Sequence, residues 1–352
     1  MFQDVYKNKK VLVTGHTGFK GSWLITWLLE LGANVIGISN NIPTKPSMFE
    51  ELKLEKKTKN FFLDIRDLSA IEEILSIEKP DFVFHLAAQP IVSISYKDPI
   101  ETIASNVLGT ANILESLRKS NHNCVAVIIT SDKAYDNVEQ VWGYKENDKM
   151  GGKDIYSGSK GAAELVIKSY FHSFFKNEKS NIKIGIGRAG NVIGGGDWAS
   201  DRIVVDCMEA WSKGNTLEIR APKATRPWQH VLEPLSGYLV LAQELFLNGD
   251  NFAEGWNFGP KDEDCKPVSW ILDEMVSHWG NNASWILDKN NNPHEAGFLK
   301  LDCSKASNRL KWNPKWDSEY AIQQTLFWYQ KFYEGAIANE LIQENLEKYT
   351  TI

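Results

Sequence analysis

Five side chains in two short stretches have the types and spacing for proton and hydride chemistry on a hydroxyl-bearing substrate. Tyr156-Ser157-Gly158-Ser159-Lys160 holds a Tyr-x-x-x-Lys pair. On a helix that spacing puts both side chains on one face. There the lysine cation lowers the phenol pKa and fits Tyr156 to take a hydroxyl proton. The spacing alone says little, since Tyr6 and Lys10 repeat it by chance. Company gives it weight. Ser131 stands about 25 residues earlier, at the end of the apolar run Val125–Thr130, where its hydroxyl can share a substrate oxygen with Tyr156. Asp132-Lys133 follows at once, a polar, charged pair just past a strand end. Open α/β sheets bind their ligands at the carboxyl ends of parallel strands. The plainer reading of this segment is a capped, solvated strand end.

These groups need a scaffold, and the first half of the chain spells one out. Lys10–Thr14, Asn34–Ser39, Asn60–Ile65, Asp81–Ala87, Val125–Thr130 and Ile182–Gly187 are short β-rich runs. Between them lie helical patterns at Ser22–Leu31, Leu68–Ile77, Thr102–Lys119 and Tyr156–Phe175. Near-continuous apolar strands separated by helices predict a parallel sheet covered on both faces. The first strand runs straight into Gly15-His16-Thr17-Gly18-Phe19-Lys20-Gly21, which opens a helix. Glycines here allow a tight turn, a close backbone approach to a pyrophosphate and close helix–strand packing. The helix N-terminus adds free N–H groups and partial positive charge for phosphates.

The second strand ends on Ser39-Asn40-Asn41, with neither an acid for a ribose nor a cation for an extra phosphate, and Lys45 lies some distance on. Neutral groups compensate a phosphate poorly, so NAD is favoured over NADP. Asp64-Ile65 is placed to meet the adenine. After about Ala189 the pattern loosens, with Gly194–Gly196, a short strand at Leu217–Arg220 and a Pro-flanked Arg226–His230. A helix at His230–Phe246 and a strand at Trp256–Gly259 resume the sheet pattern. A helix at Val268–Trp279, a strand at Phe298–Asp302 and a helix at Glu319–Tyr333 close the chain. The expected architecture is α/β, a Rossmann-type doubly wound parallel sheet with a smaller, interleaved C-terminal substrate-binding lobe. Residues 1–188 plus 229–260 form the dinucleotide domain, and 189–228 plus 261–352 the second lobe.

Composition narrows the class. The chain has 352 residues, a net charge of −6, 43% hydrophobic and 24% charged residues. The acidic balance argues against nucleic acid or an anionic membrane as main partner. An anionic ligand then needs a local cationic cluster, and Arg202, Arg220 and Arg226 are candidates, since guanidinium forks onto phosphate oxygens. Each alone is more often a surface residue or a structural ion pair. Asn191 either bonds a phosphate or caps the Gly-rich turn. Trp198 and His294-Glu295 are weaker candidates for the nucleotide end. Cys124, Cys207, Cys265 and Cys303 are scattered, which reads as reduced thiols in a cytoplasmic protein. The histidines show no metal-site spacing. The polar N-terminus excludes a signal peptide, and no apolar run is long enough to span a membrane. Most of the thirteen tryptophans are expected in the core.

Gly15–Gly21, His85-Leu86-Ala87-Ala88-Gln89, Ser131 and Tyr156/Lys160 resemble the extended short-chain dehydrogenase/reductase family. TSDKAYDN (Thr130–Asn137), WGYKE (Trp142–Glu146), RAGNVIGGGDW (Arg188–Trp198), Asp201-Arg202 and RPWQHVLEP (Arg226–Pro234) narrow the resemblance to the CDP-glucose branch of the nucleotide-sugar 4,6-dehydratases. The likeness runs from about Lys10 to at least Trp312. It implies that Ser131, Tyr156 and Lys160 carry out oxidation at C4 and that Asp132 is the general acid for the departing water. Lys133 stands where related sugar dehydratases carry a Glu base. A lysine base must be neutral, and Lys160 with the nicotinamide cation would depress its pKa; direct and water-mediated proton removal both stay open. Gly15, Thr17, Gly18, Phe19, Lys20, Gly21, Ser39, Asp64, Ile65, Leu86, Ala87 and Ala88 would hold NAD, and Gln89 the substrate. Ala134 replaces a commoner Cys. Cytidine rests on the resemblance alone, as does a homodimer through a four-helix interface of Thr102–Lys119 and Tyr156–Phe175. The rivals are a 4-epimerase or ketoreductase, which need no Asp132–Lys133 pair, and a silent NAD sensor, which needs no Ser131, Tyr156 and Lys160 together. The implied product is a 4-keto-6-deoxy sugar for deoxysugar and surface polysaccharide synthesis.

Overall fold

Buried β-branched runs and short crossover helices assemble one seven-stranded sheet in the computed structural model, which describes residues 2–177, 180–280, 283–288 and 297–352. Its strands are β1 (Lys10–Thr14), β2 (Asn34–Ser39), β3 (Lys59–Phe62), β4 (Phe82–His85), β5 (Cys124–Ile129), β6 (Ile182–Arg188) and a seventh at Gly255–Asn257. The spatial order is Gly255–Asn257, β6, β5, β4, β1, β2, β3, and every pairing is parallel. The order reverses between β1 and β4, so the crevice for ligands opens where their carboxyl ends diverge. All six residues of β5 are buried, as a strand covered on both faces requires.

Three two-stranded pieces lie beyond the main sheet. Val192–Ile193 pairs with Gln229–His230, Thr225–Pro227 with Cys265–Pro267, and Leu217–Ile219 with Trp285–Leu287. The largest apolar cluster runs from Val5 through the first helix, Phe19–Glu30, to Tyr349 in the final helix, Ala338–Thr351. It joins the sheet to the C-terminal helices. Trp23, Trp256 and Trp328 are among its fully buried members. Burying roughly 200 Å² of such a side chain gains about 5 kcal/mol before entropy is counted.

Sequence periodicity and structure differ in places, each with a physical cause. The Thr102–Lys119 pattern is three segments, Pro99–Ile103, a π turn at Ala104–Leu108 and Gly109–Lys119. Within the π turn, Asn106 donates to the Ser159 hydroxyl (2.8 Å) and to the Gln89 carbonyl (3.1 Å), tying this segment to the Tyr156 helix. That helix spans Ile155–Tyr170 and also ends in a π turn, Phe171–Phe175. Phe298–Asp302 is not a strand. Phe298 bridges Thr225 and Leu301 bridges Tyr144, so its backbone meets two different neighbours for one pair each and no ladder forms. Helices Ile203–Ser212 and Ala338–Thr351 had no counterpart in the sequence reading.

Candidate active site

The glycine turn is packed as tightly as its spacing implied. Gly15 has φ +72°, and a Cβ there would stand 2.8 Å from the Ala87 nitrogen. A Cβ on Gly21 would stand 2.2 Å from the Gly15 carbonyl oxygen. The turn therefore closes on β4 and on itself, leaving the N-terminus of Phe19–Glu30 bare toward the crevice. Thr17 is fixed through its hydroxyl, which donates to the Asn41 carbonyl (2.7 Å). Ser39 is drawn inward, its hydroxyl 2.8 Å from His16 Nδ1 and accepting from the Thr17 amide (3.3 Å). Of the β2 end, Ser39, Asn40 and Asn41 all line the cavity.

That cavity holds about 1210 Å³, more than one drug-sized ligand fills, and extends from the glycine turn to Arg226. Gly15, Thr17, Gly18, Phe19, Lys20, Gly21, Asp64, Ile65, Leu86, Ala87 and Ala88 line it, as do Asn191, Arg202, Arg220 and Arg226. Asp64 is held by Arg66, whose guanidinium keeps its carboxyl below the usual range. Arg202 pairs with Asp197 (3.2 Å), and Arg226 Nη1 donates to the Thr225 carbonyl (3.0 Å).

The reactive residues gather at the end of β5. Ser131 caps a 3-10 turn, Asp132–Ala134, by accepting from the Lys133 amide (3.2 Å), and its hydroxyl donates to Asp132 Oδ1 (3.0 Å). Ser131 also acts on the Tyr156 hydroxyl, where it favours the phenolate. The ammonium groups of Lys133 and Lys160 lie 5.9 and 6.0 Å from the centre of the Tyr156 ring. The Tyr156 helix starts at a firm cap, with Asp154 accepting from the Ser157 amide (2.9 Å) and hydroxyl (2.6 Å). Ser131, Asp132, Tyr156 and Lys160 are all buried.

Burial governs the charges. It pushes Asp132 above the usual carboxylate range, against the pull of Lys133, the Ser131 hydrogen bond and Arg226. It lowers Lys160 to about 8, with Glu164 opposing, and raises Tyr156 to about 12, with Ser131 opposing, so burial overrides the lowering that the Tyr-x-x-x-Lys spacing implied. Lys20 falls to about 8 through burial and then the repulsion of Arg202. A carboxyl that burial makes a weaker acid, beside a buried phenol and the lowered ammonium of Lys160, can pass protons in both directions. The site combines a hydroxyl-proton acceptor, a proton donor and an amine within one cavity.

Two expected residues are not brought into it. Gln89 does not line the cavity, because its side chain holds the loop after β4: Nε2 donates to the Thr102 hydroxyl (2.8 Å) and Oε1 accepts from the Ile91 amide (2.6 Å). Trp198 packs into an aromatic cluster with Trp328, Tyr329 and Phe332 at 5.4 to 6.4 Å, which outweighs exposing an indole to the cavity. His294 and Glu295 lie outside the described residues. Sequence reasoning missed Asp197, the partner of Arg202, although it stands inside the RAGNVIGGGDW stretch. It also missed Glu164, one turn beyond Lys160, for which the i,i+4 spacing was the available signal.

Comparison with known proteins agrees with this geometry. The family model for GDP-mannose 4,6 dehydratase matches residues 12–325. The chain is 49% identical to the CDP-glucose 4,6-dehydratase of Salmonella typhimurium over 95% of its own length and 94% of that protein. It is 25% identical to a dTDP-glucose 4,6-dehydratase of Haemophilus influenzae over 91% and 97% of the two chains. Among solved structures, a UDP-glucuronic acid 4-epimerase of Bacillus cereus superimposes with a TM-score of 0.79 at 24% identity, covering 92% of this chain and 100% of that one. That likeness shows the Rossmann-type fold. The family model covers all of the cavity lining but Tyr329 and both halves of the catalytic cluster, and the chain belongs to the nucleotide-sugar 4,6-dehydratase family of extended short-chain dehydrogenases/reductases.

Proposed function

We propose that this chain dehydrates CDP-glucose to CDP-4-keto-6-deoxyglucose with NAD as a retained cofactor. The observation that carries the reading is the cluster at the end of β5, where Asp132 and Lys133 accompany Ser131, Tyr156 and Lys160. The 49% identity to a CDP-glucose 4,6-dehydratase supports cytidine as the base. The glycine turn fits NAD, since the space a Cβ would fill at Gly15 and Gly21 is taken by backbone and the helix end stays open. Gly18, Phe19 and Lys20 would meet its pyrophosphate, Asp64 and Ile65 its adenosine half, and Tyr156 and Lys160 the nicotinamide side. When bound, NAD supplies hydride acceptance at C4 and hydride return at C6.

The chain's own residues move the protons. Tyr156 takes the proton of the sugar's 4-hydroxyl, with Ser131 sharing that oxygen and Lys160 stabilising the phenolate. The 4-ketone acidifies C5–H, and Lys133 removes that proton. Asp132, whose hold on a proton is strengthened by burial, gives that proton to O6 as water leaves. Arg202, Arg220 and Arg226 hold the substrate diphosphate by forked bonds. An epimerase or ketoreductase has no step for Asp132 and Lys133. The division into 1–188 plus 229–260 and 189–228 plus 261–352 accords with a sheet whose seventh strand is Gly255–Asn257.

The dimer we propose uses the expected Thr102–Lys119 and Tyr156–Phe175 stretches with Pro99–Ile103 adjoining, where Ile100, Ile103, Leu108 and Leu165 leave apolar side chains exposed. Among the described residues no helix is long and apolar enough to cross a membrane, and the four cysteines are unpaired, which suits the cytoplasm.

The test follows the hydride. Deuterium at C4 of CDP-glucose is expected at C6 of the product, with C5 acquiring hydrogen from solvent and no stoichiometric NADH. Label retained at C4 would indicate epimerisation, and label lost with the cofactor an ordinary dehydrogenase; either result removes the dehydratase reading.

A further inference from the structure

Asp132 has two faces, and the mechanism above uses only one of them. Oδ1 accepts from Ser131, whereas Oδ2 is buried without a hydrogen-bond partner among the described residues. It is turned away from Ser131 toward Gly190, where a Cβ would stand 2.3 Å from it. Two further oxygens near this stretch are equally buried and equally unpartnered, the Tyr238 hydroxyl and Gln229 Oε1. Asp132, Tyr238 and Gln229 are 3%, 0% and 1% exposed.

The three residues adjoin one stretch of backbone, Gly187 to Asn191. The Tyr238 ring, on the helix Leu232–Asn248, lies against Gly187, where a Cβ would stand 2.7 Å from Cδ1 and Cε1. Asp132 donates its amide to the Ala189 carbonyl (3.3 Å), and Gln229 donates its amide to the Asn191 carbonyl (3.2 Å). Gln229 Nε2 donates to the Phe258 carbonyl (3.0 Å), and the Phe258 ring meets that of Tyr238 edge-on at 5.6 Å. Asp132 is also the charged group whose field reaches the Tyr238 hydroxyl. Leaving three buried polar atoms unpaired costs about 1–3 kcal/mol each, so their joint presence calls for a shared partner.

We propose that Asp132 Oδ2, Tyr238 and Gln229 form an interior water site behind the dehydration centre, and that Tyr238 tunes Asp132 through that water. The inventory balances. One water accepts from the Tyr238 hydroxyl and donates to Oδ2 and to Gln229 Oε1, within the two to four bonds a buried water makes. The inference rests on the reading of Asp132 as the general acid. When Lys133 removes the C5 proton, its C–H electron pair becomes the C5–C6 double bond and the C6–O6 bond breaks with its pair on oxygen. Asp132 protonates that oxygen and is left a carboxylate. A water held by Tyr238 bonds the carboxylate more strongly than the neutral acid, because the bond is then charge-assisted, and so favours proton release.

Lys133 on the same turn, Lys20 on the first helix, Tyr156 on the central helix and Arg226 beside Pro227 also face Asp132. None of them lies on the helix Leu232–Asn248 that carries Tyr238, so a Tyr238→Phe change leaves each of these groups in place. The experiment compares wild type, Tyr238→Phe and Asp132→Asn with CDP-glucose under single-turnover conditions, following reduced cofactor and water loss separately. Tyr238→Phe is expected to slow water loss about tenfold while oxidation at C4 and the affinities for NAD and CDP stay unchanged, so the 4-keto hexose accumulates. Water loss needs protonated Asp132 and falls as pH rises through its pKa. Removing the donor raises that pKa, so the falling limb moves to higher pH in the variant. The melting temperature stays the same or rises, since the hydroxyl has no direct protein partner. Wild-type water loss and an unmoved limb in Tyr238→Phe, with Asp132→Asn impaired, would overturn the water site alone. A slowed variant with an unmoved limb would mark a packing effect and overturn it too. Unimpaired water loss in Asp132→Asn would remove the general-acid reading on which it stands.

Discussion

Replacing Glu164 by Gln tests whether the network beneath the site holds it together. Glu164 lies four residues beyond Lys160 on the same helix, and it is buried with Arg188 at 3% and 5% side-chain exposure. Its Oε1 accepts from Arg188 Nε (2.8 Å) and from the Thr130 hydroxyl (2.6 Å), and its Oε2 from Arg188 Nη2 (2.9 Å). Arg188 goes on to Tyr135 Oη (2.7 Å) and the Glu146 carbonyl (3.1 Å). Glutamine keeps one acceptor but turns an amide donor toward a guanidinium, so one forked bond is lost and the buried cation loses its paired carboxylate. Exposed pairs are worth at most about 1 kcal/mol, but breaking a buried one costs about 3–5 kcal/mol. Urea denaturation should show that loss with an unchanged m-value. Activity should report it separately. Burial holds Lys160 at about 8 and Glu164 is what raises it, so the variant's ammonium is lost at lower pH. The alkaline limb of kcat/KM then moves to lower pH. A variant within about 1 kcal/mol of wild type, with an unmoved limb, would refute the argument.

Two further outcomes follow from packing and burial. Gly21→Ala sets a Cβ against the Gly15 carbonyl and the His16 Cα, both backbone, so the turn must open; NAD affinity in direct titration is expected to fall at least tenfold with a folded chain, and an unchanged affinity would contradict the assigned turn. His230 is buried between Trp23 and Trp316, and its pKa is lowered to about 3 by that burial. Its contribution is therefore present above about pH 6.5 and lost as pH falls toward 3, so His230→Phe should gain on wild type by about 1.4 kcal/mol per pH unit across that window, and parallel stability curves would refute it.

The sheet was legible because its signal is local. Asn34–Ser39 and Lys10–Thr14 appear residue for residue as the alternation of strand and helix predicts, and so does the helix Val268–Trp279. The Gly15–Gly21 turn, Ser131 and the Tyr156–Lys160 pair could be read because each is a fixed spacing within one element. What could not be read depends on distant partners. Gln89 looks like a cavity residue beside Ala88, yet Asn106 and Thr102, on a segment that includes a π turn, claim its polar groups. Trp198 borders a glycine-rich turn, yet Trp328 and Phe332 come from a helix some 130 residues on. Arg188 lies in a long motif whose family role says nothing of Glu164, because the pairing spans two elements. Tyr238 has no motif at all. Its place against Gly187 arises only when the helix Leu232–Asn248 docks on β6.

Local geometry also explains how neighbours in sequence can serve as acid and base. In a regular strand Asp132 and Lys133 would point to opposite faces, and only one could meet a substrate. The chain instead leaves β5 at Ile129 and tightens into a 3-10 turn capped by the Ser131 hydroxyl. The turn drives Asp132 inward, where the glycine at 190 leaves room for its carboxyl, and leaves Lys133 half-buried near the Tyr156 ring. The two groups thus differ in solvation although they are neighbours in sequence, one fully buried and the other open to the cavity. Burial raises the carboxyl above the usual carboxylate range and so favours its acid form, and the amine keeps access to the open cavity. Gly190 makes this arrangement possible: a Cβ there would stand 2.3 Å from Asp132 Oδ2, so any side chain at 190 must displace the carboxyl from the buried position that strengthens its hold on a proton.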